Sequence, residues 1–204
     1  MAERNLSKRI LLVVSAVLFL SACADRQPDA GEWIELFDGK TLEGWEARPT
    51  FAPESTGDWE VRDGALVCGG TVPSWIHTTQ SFSDFRLTLE FRGAADVNSG
   101  VFLRSQKEGQ PHVTGYELQI WDYQPAGYNT GSLVNSLKAE PVRILANDWN
   151  RYEITARGDH FTVVLNGKTL LDASDEKHSS GVIGFQCQKD NPIEFRNIRV
   201  QPLN

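Results

Sequence analysis

Apolar and polar residues alternate at every position of segment 84–92. Successive side chains of a β-strand point to opposite sides of the sheet, so this pattern predicts a strand with one buried face. Segments 152–157 and 161–165 repeat the pattern, and no segment after the first 30 residues keeps a helical period of 3.6. The chain is therefore expected to fold almost entirely into β-strands.

Turn residues join these strands. Asn166-Gly167 and Asp63-Gly64 each lie between two alternating segments, and both pairs favour the positive φ angles of a tight hairpin. About a dozen strand candidates predict an all-β sandwich of two antiparallel sheets, and their number favours a jelly roll over an immunoglobulin-like domain. With no internal repeat or linker in view, one domain is expected over residues 31–204.

The charge balance excludes nucleic acid as a partner. The chain has 20 Lys and Arg against 27 Asp and Glu, a formal net charge of −7. It has no basic cluster, and phosphate binding needs clustered cations. Six Trp, ten Phe and four Tyr suit a β-rich core and also a sugar-binding face.

Residues 1–22 are typical of a bacterial lipoprotein signal peptide. Cations precede an apolar stretch at 10–20 that is too short to span a bilayer, and the motif Leu-Ser-Ala-Cys that ends at Cys23 resembles the lipoprotein cleavage box. The resemblance implies cleavage before Cys23, lipidation of that cysteine and a tether over residues 23–30. We expect an exported lipoprotein anchored to the bacterial cell envelope on its periplasmic side. A plain secretory signal is the alternative.

Cys68 and Cys187 lie in or beside predicted strands. Export permits a disulfide between them, but nothing in the sequence shows that their Cα atoms come within bonding range. We therefore expect two buried free thiols. No Cys-x-x-Cys motif or Cys/His cluster indicates a zinc site.

Three predicted strands carry polar residues opposite an apolar face. Under strict alternation Gly100 and Gly184 share that polar face and keep the surface low. Trp121 could stack on a sugar ring while the polar groups bind its hydroxyls, whereas the alternative is an ordinary solvated face. The polar residues of this predicted face are Arg104, Glu117, Gln119, Gln186 and Gln188.

Several short motifs occur in a fixed order along the chain. Segment 37–45 reads Phe-Asp-Gly-Lys-Thr-Leu-x-Gly-Trp, segment 98–104 reads Asn-Ser-Gly-x-Phe-x-Arg, and segment 115–122 reads Gly-Tyr-Glu-x-Gln-x-Trp-Asp. In combination these motifs resemble the 3-keto-disaccharide hydrolase family over nearly the whole mature chain. The resemblance implies a concanavalin A-like lectin/glucanase fold and action on glycosides oxidised to a ketone at C3. Many members carry a His shortly after the residue equivalent to Gln186, and this chain has Cys187-Gln188 there.

Such a substrate does not require two carboxylates. A ketone at C3 acidifies the C2 proton, so that a base can remove it and expel the C1 substituent, and water can then add to the enone. We predict Glu117 as the base or a substrate-binding carboxylate, Arg104 as the group that stabilises the enolate, and Asp122 as the proton donor with His112 in reserve. The predicted sugar contacts are Gln119, Trp121, Gln186, Gln188 and Asn98.

Other functions and roles stay open. Glu117 and Asp122 depart from the Glu-x-Asp-x-x-Glu pattern of concanavalin-like glucanases, which weakens ordinary two-carboxylate hydrolysis. Arg104 and Glu117 could simply pair with each other. The same fold also serves non-catalytic, lectin-like carbohydrate-binding modules, and the face could instead bind a protein.

Histidines and metal ligands are weaker candidates. A lone His is more often structural or exposed than catalytic, which is how we interpret His77, His160 and His178. Folds of this type often hold a structural calcium, for which Asp96, Asn98 and Asp122 could serve. Because acidic loop residues are common, we expect no metal and no other cofactor.

Overall fold

A computed structural model describes residues 31–50 and 56–203. The predicted signal peptide, lipidation site and tether lie outside the described residues. In the described part no helix is long and apolar enough to cross a membrane. Its elements are β1 (Ile34–Glu35), β2 (Trp45–Pro49), β3 (Trp59–Arg62), β4 (Ala65–Cys68), β5 (Ser74–Phe82), β6 (Phe85–Gly93), β7 (Ser99–Ser105), α1 (Pro111–Thr114), β8 (Tyr116–Ile120), β9 (Asn150–Arg157), β10 (His160–Leu165), β11 (Lys168–Ser174), β12 (Gly181–Cys187) and β13 (Ile193–Pro202).

These strands form the predicted sandwich of two antiparallel sheets. The eight-stranded sheet has the order β11-β10-β9-β6-β13-β4-β3, and β1 pairs with β13 as its eighth strand. The five-stranded sheet has the order β2-β5-β12-β7-β8. Sequence neighbours such as β5 and β6 lie in different sheets, so the chain repeatedly crosses the sandwich, as a jelly roll does.

The apolar core lies between the two sheets. In β6 the inward side chains occupy every second position, as the alternation predicted, and each is at most 1% exposed. Phe185 of β12 stacks on Phe195 of β13 with ring centroids 4.2 Å apart, which joins the two inner faces. Burial of each large apolar side chain stabilises the fold by roughly 1.5–3 kcal/mol. The inward residues of β6 are Phe85, Leu87, Leu89 and Phe91.

Both predicted hairpin turns are confirmed. Asn166 and Gly167 join β10 to β11 with φ angles of 50° and 81°. Asp63 and Gly64 join β3 to β4 with φ angles of 51° and 77°. Positive φ at two successive residues suits Asn, Asp and Gly, which pay little steric cost in this region.

Cys68 and Cys187 form a disulfide, so the expectation of two free thiols was wrong. Cys68 lies in β4 of the eight-stranded sheet and Cys187 in β12 of the five-stranded sheet, with their Cα atoms 6.2 Å apart. Both side chains point into the core, where the two sheets face each other. The bond cross-links the sheets, and native disulfides of this kind typically stabilise a fold by roughly 2–5 kcal/mol.

Candidate functional site

The outer surface of the five-stranded sheet carries most of the predicted polar residues, and we call it the five-stranded face. Paired residues on neighbouring strands point to the same side, so the register defines rows across the sheet. One row contains Glu46, His77, Gly184, Phe102 and Glu117, and the next contains Arg48, Trp75, Gln186, Gly100 and Gln119.

Gly100 and Gly184 let large neighbouring side chains lie flat on this face. A Cβ atom at Gly100 would stand 3.0 Å from Cγ of Glu117. A Cβ atom at Gly184 would stand 2.9 Å from the ring of Trp75. The two glycines keep the sheet low, as predicted, but the space above them is filled by these side chains rather than left as an open floor.

Glu117, in β8, is a buried carboxyl group on this face. The residue is 7% exposed, and its Oε1 accepts a hydrogen bond of 3.0 Å from Nε2 of Gln186. Burial raises the pKa of Glu117 to about 7, although the hydrogen bond from Gln186 acts to lower it. A carboxyl group that titrates near neutral pH can both accept and return a proton, which suits general acid–base chemistry.

Gln119 and Gln186 lie beside this carboxyl group, and both are buried. The Gln186 backbone carbonyl accepts a hydrogen bond from the Ser99 hydroxyl at 2.7 Å, and the Gln119 carbonyl accepts one from the Tyr152 hydroxyl at 2.9 Å. These bonds hold the two residues in place on their strands. Their side-chain amides offer donors and acceptors of the kind that bind sugar hydroxyls.

Trp75 and His77 of β5 also lie on this face, and sequence reasoning did not identify them as site residues. Trp75 packs beside His77 with ring centroids 4.5 Å apart, and edge-on against Phe102 at 5.6 Å. Their alternation around the inward Ile76 could have shown that they share a face. It could not have shown that Gly184 and the polar residues of β12 lie next to them.

His77 is a buried residue with an unprotonated ring nitrogen. Its Nδ1 lies 2.9 Å from the Thr78 carbonyl oxygen, and because a carbonyl only accepts, Nδ1 carries the proton. Nε2 is buried and has no hydrogen-bond partner among the described residues, since Glu46 Oε2 is 3.9 Å away. Burial lowers the pKa of His77, which keeps the ring neutral and Nε2 an acceptor.

The prediction that Arg104 shares the five-stranded face was wrong. Three steps along β7, from Phe102 to Ser105, lie opposite two steps along β12. Arg104 is in the resulting β-bulge and has a φ angle of +56°. One extra residue in a strand reverses the alternation of its side chains, so the regular pattern assumed from the sequence fails at this position.

Arg104 instead ties together the end of the sandwich. Its guanidinium is completely buried, and it donates to the Asp84 carboxylate at 3.0 Å rather than pairing with Glu117. It also donates to three backbone carbonyls, which leaves no role for it as an enolate stabiliser. These carbonyls belong to Ser83, Gly158 and His178, at 2.7, 2.7 and 3.1 Å.

Asp122, the predicted proton donor, is bound through both of its carboxylate oxygens, and its role as a proton donor stays a prediction. The residue is buried, and its Oδ1 accepts a hydrogen bond of 2.6 Å from the Thr130 hydroxyl. Its Oδ2 accepts one of 3.0 Å from the Ile144 backbone N–H. Because both oxygens accept, the carboxylate holds the long loop after β8 in place.

The other predicted site residues lie outside the strands of this sheet. Asn98, Trp121 and Gln188 directly precede or follow β7, β8 and β12, and all three are half-buried. The Asn98 backbone N–H donates to Asn191 Oδ1 at 2.7 Å. His112 lies in α1, half-buried between β7 and β8, and burial lowers its pKa.

A single group of three potential metal ligands occurs within residues 31–50 and 56–203. It consists of Asp58, Cys68 and Cys187. Both sulfur atoms belong to the disulfide, and a metal needs thiolates, so this group does not form a metal site. The expectation that the protein uses no metal stays a prediction.

The fold defines a class of protein, the jelly-roll β-sandwiches of two antiparallel sheets. Within that class the chain belongs to the 3-keto-alpha-glucoside-1,2-lyase-like domain family, which it matches over residues 32–201. This match confirms the family that the sequence motifs predicted, and the two antiparallel sheets confirm the predicted sandwich fold. No curated protein matches the chain in sequence.

Solved structures with this fold include candidate enzymes and a binding module. Two candidate glycosyl hydrolases from Parabacteroides distasonis ATCC 8503 superpose with TM-scores of 0.72 and 0.68, at 21% and 25% identity. The alignments cover 84% and 85% of this chain and 94% and 100% of those chains. The carbohydrate binding module CBM66 from Bacillus subtilis has a TM-score of 0.58 at 20% identity, covering 76% of this chain and 94% of that one.

Proposed function

We propose that this chain is an enzyme that cleaves 3-keto-glycosides, including 3-keto-disaccharides, and that Glu117 is its proton-transfer group. The observation that carries the proposal is the Glu117 carboxyl, buried on the five-stranded face with a pKa raised to about 7 by burial. Membership of the lyase-like family supports a 3-keto substrate. Net hydrolysis by elimination and then hydration agrees with both.

In the elimination half, the Glu117 carboxylate accepts the proton from C2 of the oxidised ring. The electron pair of the C2–H bond moves to the ketone oxygen and gives an enolate, and the ketone is then restored as the C1–O bond breaks and a C1=C2 bond forms. The departing oxygen takes up a proton, which Glu117, now a carboxylic acid, can supply. A single carboxyl group with a pKa near 7 can thus perform both transfers.

In the hydration half, addition of water to the enone converts the elimination into net hydrolysis. Water adds its hydroxyl to C1 and a proton to C2, so that the glycoside and one water give a free 3-keto sugar and an alcohol. The enolate in the elimination half needs a hydrogen-bond donor, and the side-chain amide of Gln119 offers one on the same strand as Glu117. Adjacent positions on one side of a strand stand roughly 6.5–7 Å apart, so one sugar ring can contact both side chains.

The test uses purified protein and two chromogenic substrates, a 3-keto-glucoside and the same glucoside without oxidation. We expect chromophore release from the 3-keto-glucoside alone. Equal release from both would indicate an ordinary glycosidase, and release from neither would contradict an enzymatic function.

The second candidate function is non-catalytic carbohydrate binding, favoured by the likeness in fold to CBM66. Calorimetric titration with glycans and with 3-keto-glucosides separates the two candidates. Binding without turnover of any 3-keto-glycoside would favour the module over the enzyme.

We also propose that the protein is exported and anchored through a lipid on Cys23. The lipoprotein-like motif supports this, and so does the disulfide, because such bonds persist mainly in oxidising compartments. Labelling of cells with an alkyne fatty acid should tag the wild-type protein, whereas Cys23→Ser should remain unlabelled and uncleaved. Equal labelling of both would contradict the anchor.

A further inference from the structure

Two buried acceptor atoms on the five-stranded face have no hydrogen-bond partner among the described residues: His77 Nε2 and Gln186 Oε1. His77 is completely buried and Gln186 is 4% exposed. Leaving a buried acceptor unpaired costs free energy, and native proteins keep few such atoms. Two of them on one face therefore indicate a partner that binds there.

The chemistry of both atoms is defined by their other contacts. His77 donates its Nδ1–H to the Thr78 carbonyl, so Nε2 has a free lone pair. Gln186 donates from Nε2 to the Glu117 carboxyl group, so Oε1 is the free end of the amide. Both atoms accept, and the partner that they fit is a hydrogen-bond donor such as a sugar hydroxyl.

His77 lies to one side of Glu117, whereas the side-chain amide of Gln186 contacts the Glu117 carboxyl group directly. His77 is in β5 and Gln186 in the neighbouring β12, where Gly184 is opposite His77. Diagonal neighbours on adjacent strands are about 7–8 Å apart. Glu117 lies in β8, three strands from His77, or about 14 Å at 4.7–4.9 Å per strand. The row from His77 to Glu117 is longer than one sugar ring.

The substrate's own chemistry separates the two ends of this row. The oxidised ring must place its C2 at Glu117, and its C3 ketone has no hydrogen to donate. The leaving sugar of a 3-keto-disaccharide keeps all its hydroxyl groups. We infer that His77 is a specificity-determining residue, which accepts a hydrogen bond from a hydroxyl of the leaving sugar. This inference rests on the proposed function.

The experiment compares a 3-keto-disaccharide with a 3-keto-glucoside whose aryl leaving group has no hydroxyl. His77→Phe keeps a ring beside Trp75 but has no acceptor. We expect its KM for the disaccharide to rise about tenfold, the cost of one lost buried hydrogen bond. Its kcat/KM for the aryl substrate should stay within about twofold of wild type. His160→Phe is the matched control, because His160 is exposed on β10 of the other sheet.

Each result of this comparison either supports or overturns the role of His77. An equal loss with both substrates, or no change with the disaccharide, would overturn the inference while the wild-type activity left the proposed function standing. If the wild-type protein cleaves neither substrate, the proposed function fails and the inference fails with it. If His77→Phe does not fold, His77→Leu also removes the acceptor and is put through the same comparison, and His77→Gln, which retains one, should restore part of the affinity.

Discussion

The outer faces of the two sheets differ in how their polar side chains are paired and exposed. On the eight-stranded sheet Arg92 pairs with Glu194 at 2.6 Å and Arg196 pairs with Glu90 at 2.7 Å. Both arginines also pack on the ring of Trp149, at 4.6 and 3.8 Å from its centroid. These pairs are matched and partly exposed, which is how a solvated surface satisfies its charges.

The five-stranded face instead buries polar groups and leaves some of them unmatched. Glu117 has one amide donor and a raised pKa, and His77 and Gln186 each keep an unpaired acceptor. Burial without pairing costs stability, so a face of this kind is better explained by a ligand than by folding alone. The difference between the faces lies in burial and pairing, since residues alternate on both.

The eight-stranded face also has a cleft, but its charged residues are paired and partly exposed like the rest of that face. The eight-stranded face has a cleft of about 390 Å³ whose lining includes Trp33, Arg151 and Arg199. This cleft opens to solvent, and Nε of Arg151 already forms an ion pair with Oε1 of Glu153 at 3.4 Å. The charged side chains of the cleft are partly exposed and paired, as on the rest of the eight-stranded face, whereas the polar groups around Glu117 are buried.

The largest expected effect is on stability, at the residue that sequence analysis assigned to the wrong face. Arg104→Met should lower the free energy of unfolding by about 3–5 kcal/mol, because it removes a fully buried guanidinium that pairs with Asp84 and donates to three backbone carbonyls. Urea denaturation gives this value. Turnover per folded molecule should be unchanged, and a hundredfold loss of turnover in folded protein would restore a catalytic role.

The pH dependence of stability tests the buried state of Glu117. Its pKa is about 7 in the folded protein against the 4.5 of an ordinary solvent-exposed Glu side chain, so burial favours the protonated form. The folded state therefore loses stability as pH rises from about 4.5 through 7, by about 3 kcal/mol in total. Glu117→Gln, which stays neutral, should match wild type at pH 4.5 and exceed its stability at pH 8.

Glu90→Gln is the control for that pH series. Glu90 is on the eight-stranded face and pairs with Arg196, so its substitution should not produce a stability gain at pH 8. Parallel stability curves for wild type and Glu117→Gln between pH 4.5 and 8 would show that the carboxyl is ionised in the folded protein throughout.

A smaller effect is expected where Gly100 supports the carboxyl group. The Cβ atom of Gly100→Ala would stand 3.0 Å from Cγ and 3.2 Å from Oε1 of Glu117, so the carboxyl must shift. We expect turnover to fall about tenfold, since small misplacements of catalytic groups cost that much or more. Steady-state kinetics on a 3-keto-glucoside measure it.

Gly93→Ala provides the matched glycine on the other sheet. Its Cβ atom would be equally tight, 3.0 Å from Val97, but far from Glu117 in the fold. It should cost some stability and no turnover. If Gly93→Ala and Gly100→Ala reduced turnover equally, the loss would reflect general strain rather than the position of Glu117.

The smallest effect is expected on the solvated face itself. Arg196→Met removes one partly exposed ion pair and one contact with Trp149. The free energy of unfolding should fall by about 1 kcal/mol or less, and turnover should not change. A larger loss of turnover would place functional chemistry on the eight-stranded face, against the comparison drawn above.

Alternation alone predicted much of this arrangement. The period of two identified the strands, and it placed Glu117, Gln119 and Gln186 opposite an apolar face because β8 and β12 are regular where these residues lie. Asn166-Gly167 and Asp63-Gly64 predicted their hairpins because the turn itself requires positive φ. These features depend on local geometry, which a sequence expresses directly.

The errors arose where the outcome depends on contacts between distant segments. The bulge at Arg104 is defined only by the pairing of β7 with β12. Cys68 and Cys187 are separated by 119 positions and meet only because their strands lie in facing sheets. His77 looked like a lone histidine until the register placed it in one row with Gly184 and Glu117.

The most direct test of the central claim is the turnover of Glu117→Gln on a 3-keto-glucoside, measured beside Glu90→Gln from the opposite face. Both variants should fold, because each replaces a carboxyl by an amide of nearly equal size. We predict that kcat falls about 100-fold or more in Glu117→Gln and stays at the wild-type value in Glu90→Gln. Near-normal turnover in folded Glu117→Gln would contradict the assignment of the five-stranded face as the catalytic site.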